Sequence, residues 1–129
     1  MVSAWVKKND KWGFIDKTGK EIASCIYDDV SYFSEGLADV KKNGYWGYID
    51  ETGKEVIPCI YDRAGSFCEG LAKIEKDGKW GLLDGEDNEI LKPMFYDEIE
   101  VIKILSDDYV KINLDGRETI VNKNGKIIS

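Results

Sequence analysis

Three Trp-Gly pairs, Trp12-Gly13, Trp46-Gly47 and Trp80-Gly81, stand 34 residues apart, each inside a segment of one design: KWGFID, YWGYID and KWGLLD. A fixed period of this size means that one small unit is written repeatedly and stacked, each copy packing mainly on its neighbours. Other markers keep the spacing. Tyr27-Asp28 and Tyr61-Asp62 are 34 apart, and Tyr96-Asp97 follows after 35, so the third copy carries one inserted residue, which we place in its acidic turn, Asp84–Glu89. Phe33–Val40 (FSEGLADV) and Phe67–Ile74 (FCEGLAKI) also repeat at 34. A fourth, degenerate copy, Asp115–Ile128, keeps the turns but has Glu118-Thr119 in place of Trp-Gly.

Helical tetratricopeptide repeats share this period, but the pattern inside it is wrong for a helix. Ala38 and Val40 alternate with Asp39 and Lys41, Ala72 and Ile74 with Lys73 and Glu75, Val110 and Ile112 with Lys111 and Asn113. Alternation at period two marks a strand. Asn43-Gly44, Asp77-Gly78 and Asp115-Gly116 separate such runs and suit type I′ hairpins, whose two central residues need positive φ; Asn9-Asp10 fills the same slot. A second turn follows at Asp16–Lys20, Asp50–Lys54 and Asn122–Lys126, where Asp or Asn can bond the backbone two residues on. Each unit therefore reads as a three-stranded antiparallel meander. The connection from Tyr-Asp to Phe-x-Glu-Gly is expected to hold a short helical turn. The expected fold is all-β, one repeat array over residues 1–129 with units at about 1–34, 35–68, 69–105 and 106–129.

Within a strand, Trp46, Tyr48 and Asp50 share one face and Gly47 and Ile49 the other, so the Trp-Gly strand is apolar on both sides. Gly inside a strand costs roughly 0.5–1 kcal/mol relative to Ala. Its recurrence at Gly13, Gly47 and Gly81 implies a close approach that a Cβ would block, and we expect the indole or Tyr of an adjacent unit to pack there. Trp12, Trp46 and Trp80 are then read as core residues, each burying ~150–250 Å².

Composition narrows function. The net charge of −7 argues against nucleic acid and anionic membrane as partners, and no apolar run is long enough to span a bilayer as a helix, so membrane insertion is not expected. The absence of His removes the commonest general base, Ser-His and Cys-His dyads and the commonest zinc ligand. Three cysteines without CxxC spacing argue against a disulfide framework and favour a reducing compartment such as the cytoplasm. A cell-surface location is the alternative if the chain belongs to a longer protein. Cys25, Cys59 and Met94 share one repeat position, read as a soft core site, whereas Cys68 aligns with Ser34 near the surface. The acidic turn could be weighed as a calcium site, but it lacks the spacing and glycine of an EF-hand loop. Recurring Glu35-Gly36 and Glu69-Gly70 are expected to bond turn backbone rather than to act as paired catalytic carboxylates.

Taken together, KWGFIDKTGKEI, YWGYIDETGKEVIP and KWGLLDGEDNEIL, with FSEGLA, FCEGLA and the recurring Tyr-Asp, resemble the WG-repeat family, also called KWG repeats. The resemblance covers almost the whole chain, about three and a half copies. It implies a mostly bacterial, all-β repeat module with no established activity, catalytic residue or cofactor. The expected function is non-catalytic: a scaffold that binds another protein across an extended face, with end-to-end self-association through its open sheet edges. The alternative is a carbohydrate or cell-wall binding module that uses exposed aromatics, with a polysaccharide as partner. Contact residues are sought where copies differ and packing does not demand an aromatic. Trp5 aligns with Asp39, Lys73 and Lys111 and is expected to face outward; Tyr45 aligns with Lys11, Lys79 and Arg117; Tyr32 aligns with Ser66.

Overall fold

The computed structural model describes residues 3–128. Every regular element among them is a strand. The first sheet joins β1 (Ser3–Lys8), β2 (Lys11–Asp16) and β3 (Glu21–Tyr27) in that order. The second joins β4 (Asp29–Val30), β5 (Leu37–Lys42), β6 (Tyr45–Asp50) and β7 (Glu55–Tyr61). The third repeats it with β8 (Arg63–Ala64), β9 (Leu71–Lys76), β10 (Lys79–Asp84) and β11 (Glu89–Tyr96). The fourth holds β12 (Ile99–Ile104), β13 (Tyr109–Leu114) and β14 (Arg117–Asn122). The units are thus separate antiparallel meanders rather than one continuous sheet. The hairpin turns are as expected, with positive φ at Asn43 and Gly44 and at both Asn9 and Asp10.

The connection differs from expectation. Where a helical turn was anticipated, Asp29–Val30 and Arg63–Ala64 are two-residue strands that pair with β5 and β9. Amides Asp28 N and Asp62 N also donate into the following sheet, to Lys41 O at 2.8 Å and Glu75 O at 2.9 Å. The Tyr-Asp linker therefore hydrogen-bonds with the sheet that follows it.

The core lies between sheets. Phe14, Ala23 and Tyr27 of the first sheet pack against Ala38, Val40 and Ile49 of the second. One period on, Tyr48, Ile57 and Tyr61 meet Ala72, Ile74 and Leu83. Leu82 and Leu91 then meet Ile112 and Val121. The Trp-Gly strands β6 and β10 thus send alternate residues to two neighbours, which is why both their faces are apolar. Trp12, Trp46 and Trp80 are only half-buried, so the core reading holds in part: Trp12 and Trp80 pack against the core clusters without being enclosed in them. The same face is filled two residues later by Phe14, Tyr48 and Leu82, while the indoles lie at the start of the strand. Lys7 Nζ sits 5.6 Å from the Trp12 ring and Lys73 Nζ 5.2 Å from that of Trp80, a cation over each partly wet indole.

The glycines answer to a different neighbour than expected. Trp46 pairs with Tyr61 and Tyr48 with Ile57, so β7 advances four residues while β6 advances two. The surplus forms a bulge that crosses Gly47: a Cβ there would lie 2.5 Å from Ile57 O and 2.7 Å from Cys59 N. The close approach is real, but its source is the third strand of the same sheet, not the indole or Tyr of an adjacent unit. Gly13 and Gly81 meet the bulges of β3 and β11 in the same way. In β11 the bulge spans Trp80↔Tyr96 to Leu82↔Leu91, one residue longer. The insertion of the third copy is therefore here, and not in the acidic turn, where Asp84 N bonds Asn88 O across the same interval as Asp50 N and Lys54 O. A bulge tolerates an extra residue without changing the ladder on either side, whereas a tight turn does not. β3, β7 and β11 are also outer strands of their sheets, and a bulge there spoils an edge for further pairing. In the fourth sheet Thr119 takes the glycine position and is buried, and the third strand shrinks to a bridge between Val121 and Ile127.

Candidate functional site between the first two sheets

The junction of the first two sheets is open where the next is sealed. Trp5 on β1 is the cross-strand neighbour of Phe14 on β2. Their rings lie 4.8 Å apart, and Phe33, from the loop after β4, stacks on Trp5 at 5.9 Å and tilts against Phe14 at 4.9 Å. Tyr32, next to Phe33, is 85% exposed. Trp5, Phe14, Tyr32, Phe33, Gly36 and Glu51 line a cleft of about 520 Å³. Glu51, from the turn between β6 and β7, is the only charged group in this lining and has neither an ion pair nor a hydrogen bond among the described residues.

Two of the three residues chosen from the sequence, Trp5 and Tyr32, thus meet in one cleft. Trp5 does not face outward as expected: it is half-buried against Phe14 and Phe33. The polar residues aligned with it were misleading because this strand position points into the junction, and even Asp39 is only 7% exposed. Tyr45 is 46% exposed at the start of β6 and does not line the cleft. Its counterparts Lys11 and Lys79 pair with Asp28 and Asp97, so Tyr45 stands where an ion pair forms in other copies. Sequence reasoning missed Glu51. The criterion that found Trp5 and Tyr32 also finds it, since its counterparts are Lys17, Gly85 and Lys123.

At the second junction the corresponding residues close the space. Tyr48 replaces Phe14 and its hydroxyl donates to Gly65 O. Phe67 replaces Phe33, meets Tyr48 edge-on at 4.9 Å and is 2% exposed. Asp39 replaces Trp5; burial holds its carboxyl above the usual range, and Oδ1 has no hydrogen-bond partner among the described residues. A smaller cavity of about 280 Å³ between the third and fourth sheets is walled by aliphatic residues such as Leu82, Ile90, Val110 and Val121, space left where the fourth copy lacks a Phe-x-Glu-Gly loop.

The remaining polar groups serve the junctions. Glu35 accepts from Gly70 N at 2.7 Å and from Glu69 N, binding turn backbone as expected, though the backbone is that of the next copy. Ser34 Oγ donates to Phe67 O at 2.7 Å. Tyr27 and Tyr61 donate to Glu55 and Glu89 of the following sheet; burial, then the facing carboxylate, raises both phenols. Lys42 sits 2.7 Å from Glu55. The cysteine position is not a core site throughout: Cys25 and Cys59 are half-buried on the bulge, and Met94 is exposed. Burial and the Glu55 carboxylate push the Cys59 thiol up to about 12, so it stays protonated at neutral pH. Cys68 is exposed. In the acidic turn, the Asp84 carboxylate is occupied by Glu86 N at 2.8 Å and by Asn88 N and Nδ2, closing the turn as Asp50 does. Among the described residues no three acidic or cysteine side chains gather as a metal site.

Comparison with known proteins agrees with this architecture. The family model described as "WG containing repeat" matches twice, over residues 12–46 and 46–80, together more than half of the chain. Neither the curated proteins nor the solved structures gave a match. A 34-residue period, meander sheets, Trp-Gly strands each crossed by a bulge, and two abutting family matches lead to one conclusion: the chain belongs to the family of WG-containing repeats.

Proposed function

We propose that this repeat array is a non-catalytic module that binds another protein, and that the cleft between its first two sheets is the contact site. The observation that supports this reading is convergence. Trp5, Tyr32 and Glu51 are departures from the repeat at three separate places in the chain, and all three line the same cleft. Tyr32 is 85% exposed and forms no ring pair with the aromatic cluster among the described residues. Large aromatic side chains with a free face and little rotamer freedom are typical anchors of protein interfaces.

The half-exposed Trp12, Trp46 and Trp80 support a second reading, a carbohydrate or cell-wall binding module, because recurrent wet indoles can serve as stacking surfaces for sugars. One experiment separates the two. The immobilised array is exposed to an extract of its source organism and, in parallel, to the insoluble wall fraction. Tyr32→Ser installs the residue of the next copy, and Tyr45→Lys restores the repeat outside the cleft. Capture of a protein by the native array and by Tyr45→Lys, but not by Tyr32→Ser, is the expected result. Co-sedimentation with wall polysaccharide, reversed by soluble sugar, would overturn it in favour of the second reading.

A further inference from the structure

The same cleft has a more specific chemistry. Resting on the reading of this cleft as a protein-binding site, we infer that its occupant is a cationic side chain, arginine above all, presented by a basic segment of the partner.

Three features of the lining carry the inference. First, Trp5 and Phe33, both half-buried, pack over the buried Phe14 in one aromatic cluster, with ring centroids 4.8–5.9 Å apart, and the exposed Tyr32 stands beside it. The faces of such rings carry negative potential and attract a guanidinium or ammonium group, more strongly as water is excluded. Second, the one charged side chain in the lining is the carboxylate of Glu51, which has no ion pair among the described residues. A carboxylate accepts hydrogen bonds and donates none at neutral pH, and it matches the planar donor fork of arginine. A sugar presents hydroxyls that both donate and accept, and beyond the Tyr32 hydroxyl and the Trp5 indole N–H no donor side chain lines this cleft to answer them. Third, the net charge of −7 favours the approach of a positively charged segment.

At the corresponding turn position Lys17 and Lys123 are cations and Gly85 is neutral; only the copy that walls the aromatic cleft carries an acid. Acid and aromatics therefore occur together at one junction. At the second junction, where Ser66 and Gly85 stand in their places, Phe67 closes the space.

The test uses the full chain and a fluorescein-labelled Gly-Ser peptide carrying three arginines, with a second peptide in which citrulline, the neutral isostere, replaces each arginine. Fluorescence anisotropy is measured with the native chain, Glu51→Gln, Tyr32→Ser and Asp107→Asn. The last removes the same charge at an exposed site remote from the cleft lining. The arginine peptide is expected to bind the native chain and Asp107→Asn alike, and about fivefold or more weakly with Glu51→Gln and with Tyr32→Ser. The citrulline peptide is expected to bind about tenfold or more weakly than the arginine peptide. Equal binding of the two peptides, or arginine binding that Asp107→Asn weakens as much as Glu51→Gln does, would overturn the assignment. So would the absence of arginine binding. If that absence accompanies protein capture that Tyr32→Ser abolishes, the protein-binding reading stands and only the cationic occupant falls. Displacement of the arginine peptide by wall oligosaccharide, with Tyr32→Ser abolishing binding of both, would overturn the assignment and reassign the cleft to a sugar.

Discussion

The first and second inter-sheet junctions are built from the same positions 34 residues apart, yet one is open and the other sealed. Both begin with a cross-strand pair, Trp5 with Phe14 and Asp39 with Tyr48, and both receive a phenylalanine from the following loop, Phe33 or Phe67. At the second junction the small Asp39 leaves room for Phe67 to settle fully against Tyr48, and the Tyr48 hydroxyl ties the loop through Gly65 O. At the first, the indole of Trp5 occupies that room, Phe14 has no hydroxyl, and Phe33 remains half-buried with Tyr32 projecting beside it. A repeat can thus convert a sealed joint into an open cleft without altering its backbone plan, by exchanging a few side chains in one slot. The sealed joint has its own cost, a buried Asp39 oxygen without a partner.

The largest expected effect distinguishes the two phenylalanines. Phe67→Ala should destabilise the chain by about 3–4 kcal/mol in urea denaturation, and Phe33→Ala by about half as much, because only Phe67 is fully enclosed. Equal losses would mean that the first junction is as tightly packed as the second. Gly47→Val should cost about 3 kcal/mol or more, since the Cβ would meet bulge backbone that cannot give way; native stability in that variant would dismiss the bulge as the reason for the glycine. Tyr48→Phe should cost about 1 kcal/mol, the worth of one hydrogen bond, and increase amide exchange in the loop around Gly65.

Asp39→Asn should act in the opposite direction and depend on pH. Because burial raises the folded-state pKa of Asp39 above the ordinary value of 3.8, the folded chain binds its proton more readily than the unfolded chain. The ionised carboxylate therefore burdens the fold at neutral pH, and the burden lifts as pH falls through the raised value towards 3.8. The substitution should raise stability by about 1 kcal/mol at pH 7 and by much less near about pH 3.5, read as the pH dependence of the melting temperature. Smallest of all, Tyr32→Ser should alter stability by no more than about 0.5 kcal/mol, because its ring is exposed. A large loss there would make Tyr32 a structural residue and weaken its assignment to a contact.

The sequence by itself determined the period, the strands and both turns, because these are local: alternation selects the strand, and Asn-Gly and Asp-Gly select the turn. It also marked Trp5 and Tyr32, since a side chain that departs from its copies is visible in any alignment of the chain with itself. It did not show the bulge over Gly47, because the demand for glycine there comes from a neighbouring strand whose extra residues have no sequence signature. For the same reason the inserted residue of β11 was assigned to a turn. Nor did it tell which polar positions are solvated: Asp39 reads as an outward residue by alternation, yet the next sheet covers it. Tertiary structure alone decided which neighbours cover the two faces of β6 and β10, and that Trp5, Tyr32 and Glu51 meet. Local patterning sets which face of a strand a side chain occupies, whereas burial depends on what packs against that face, and here that is always another copy of the repeat.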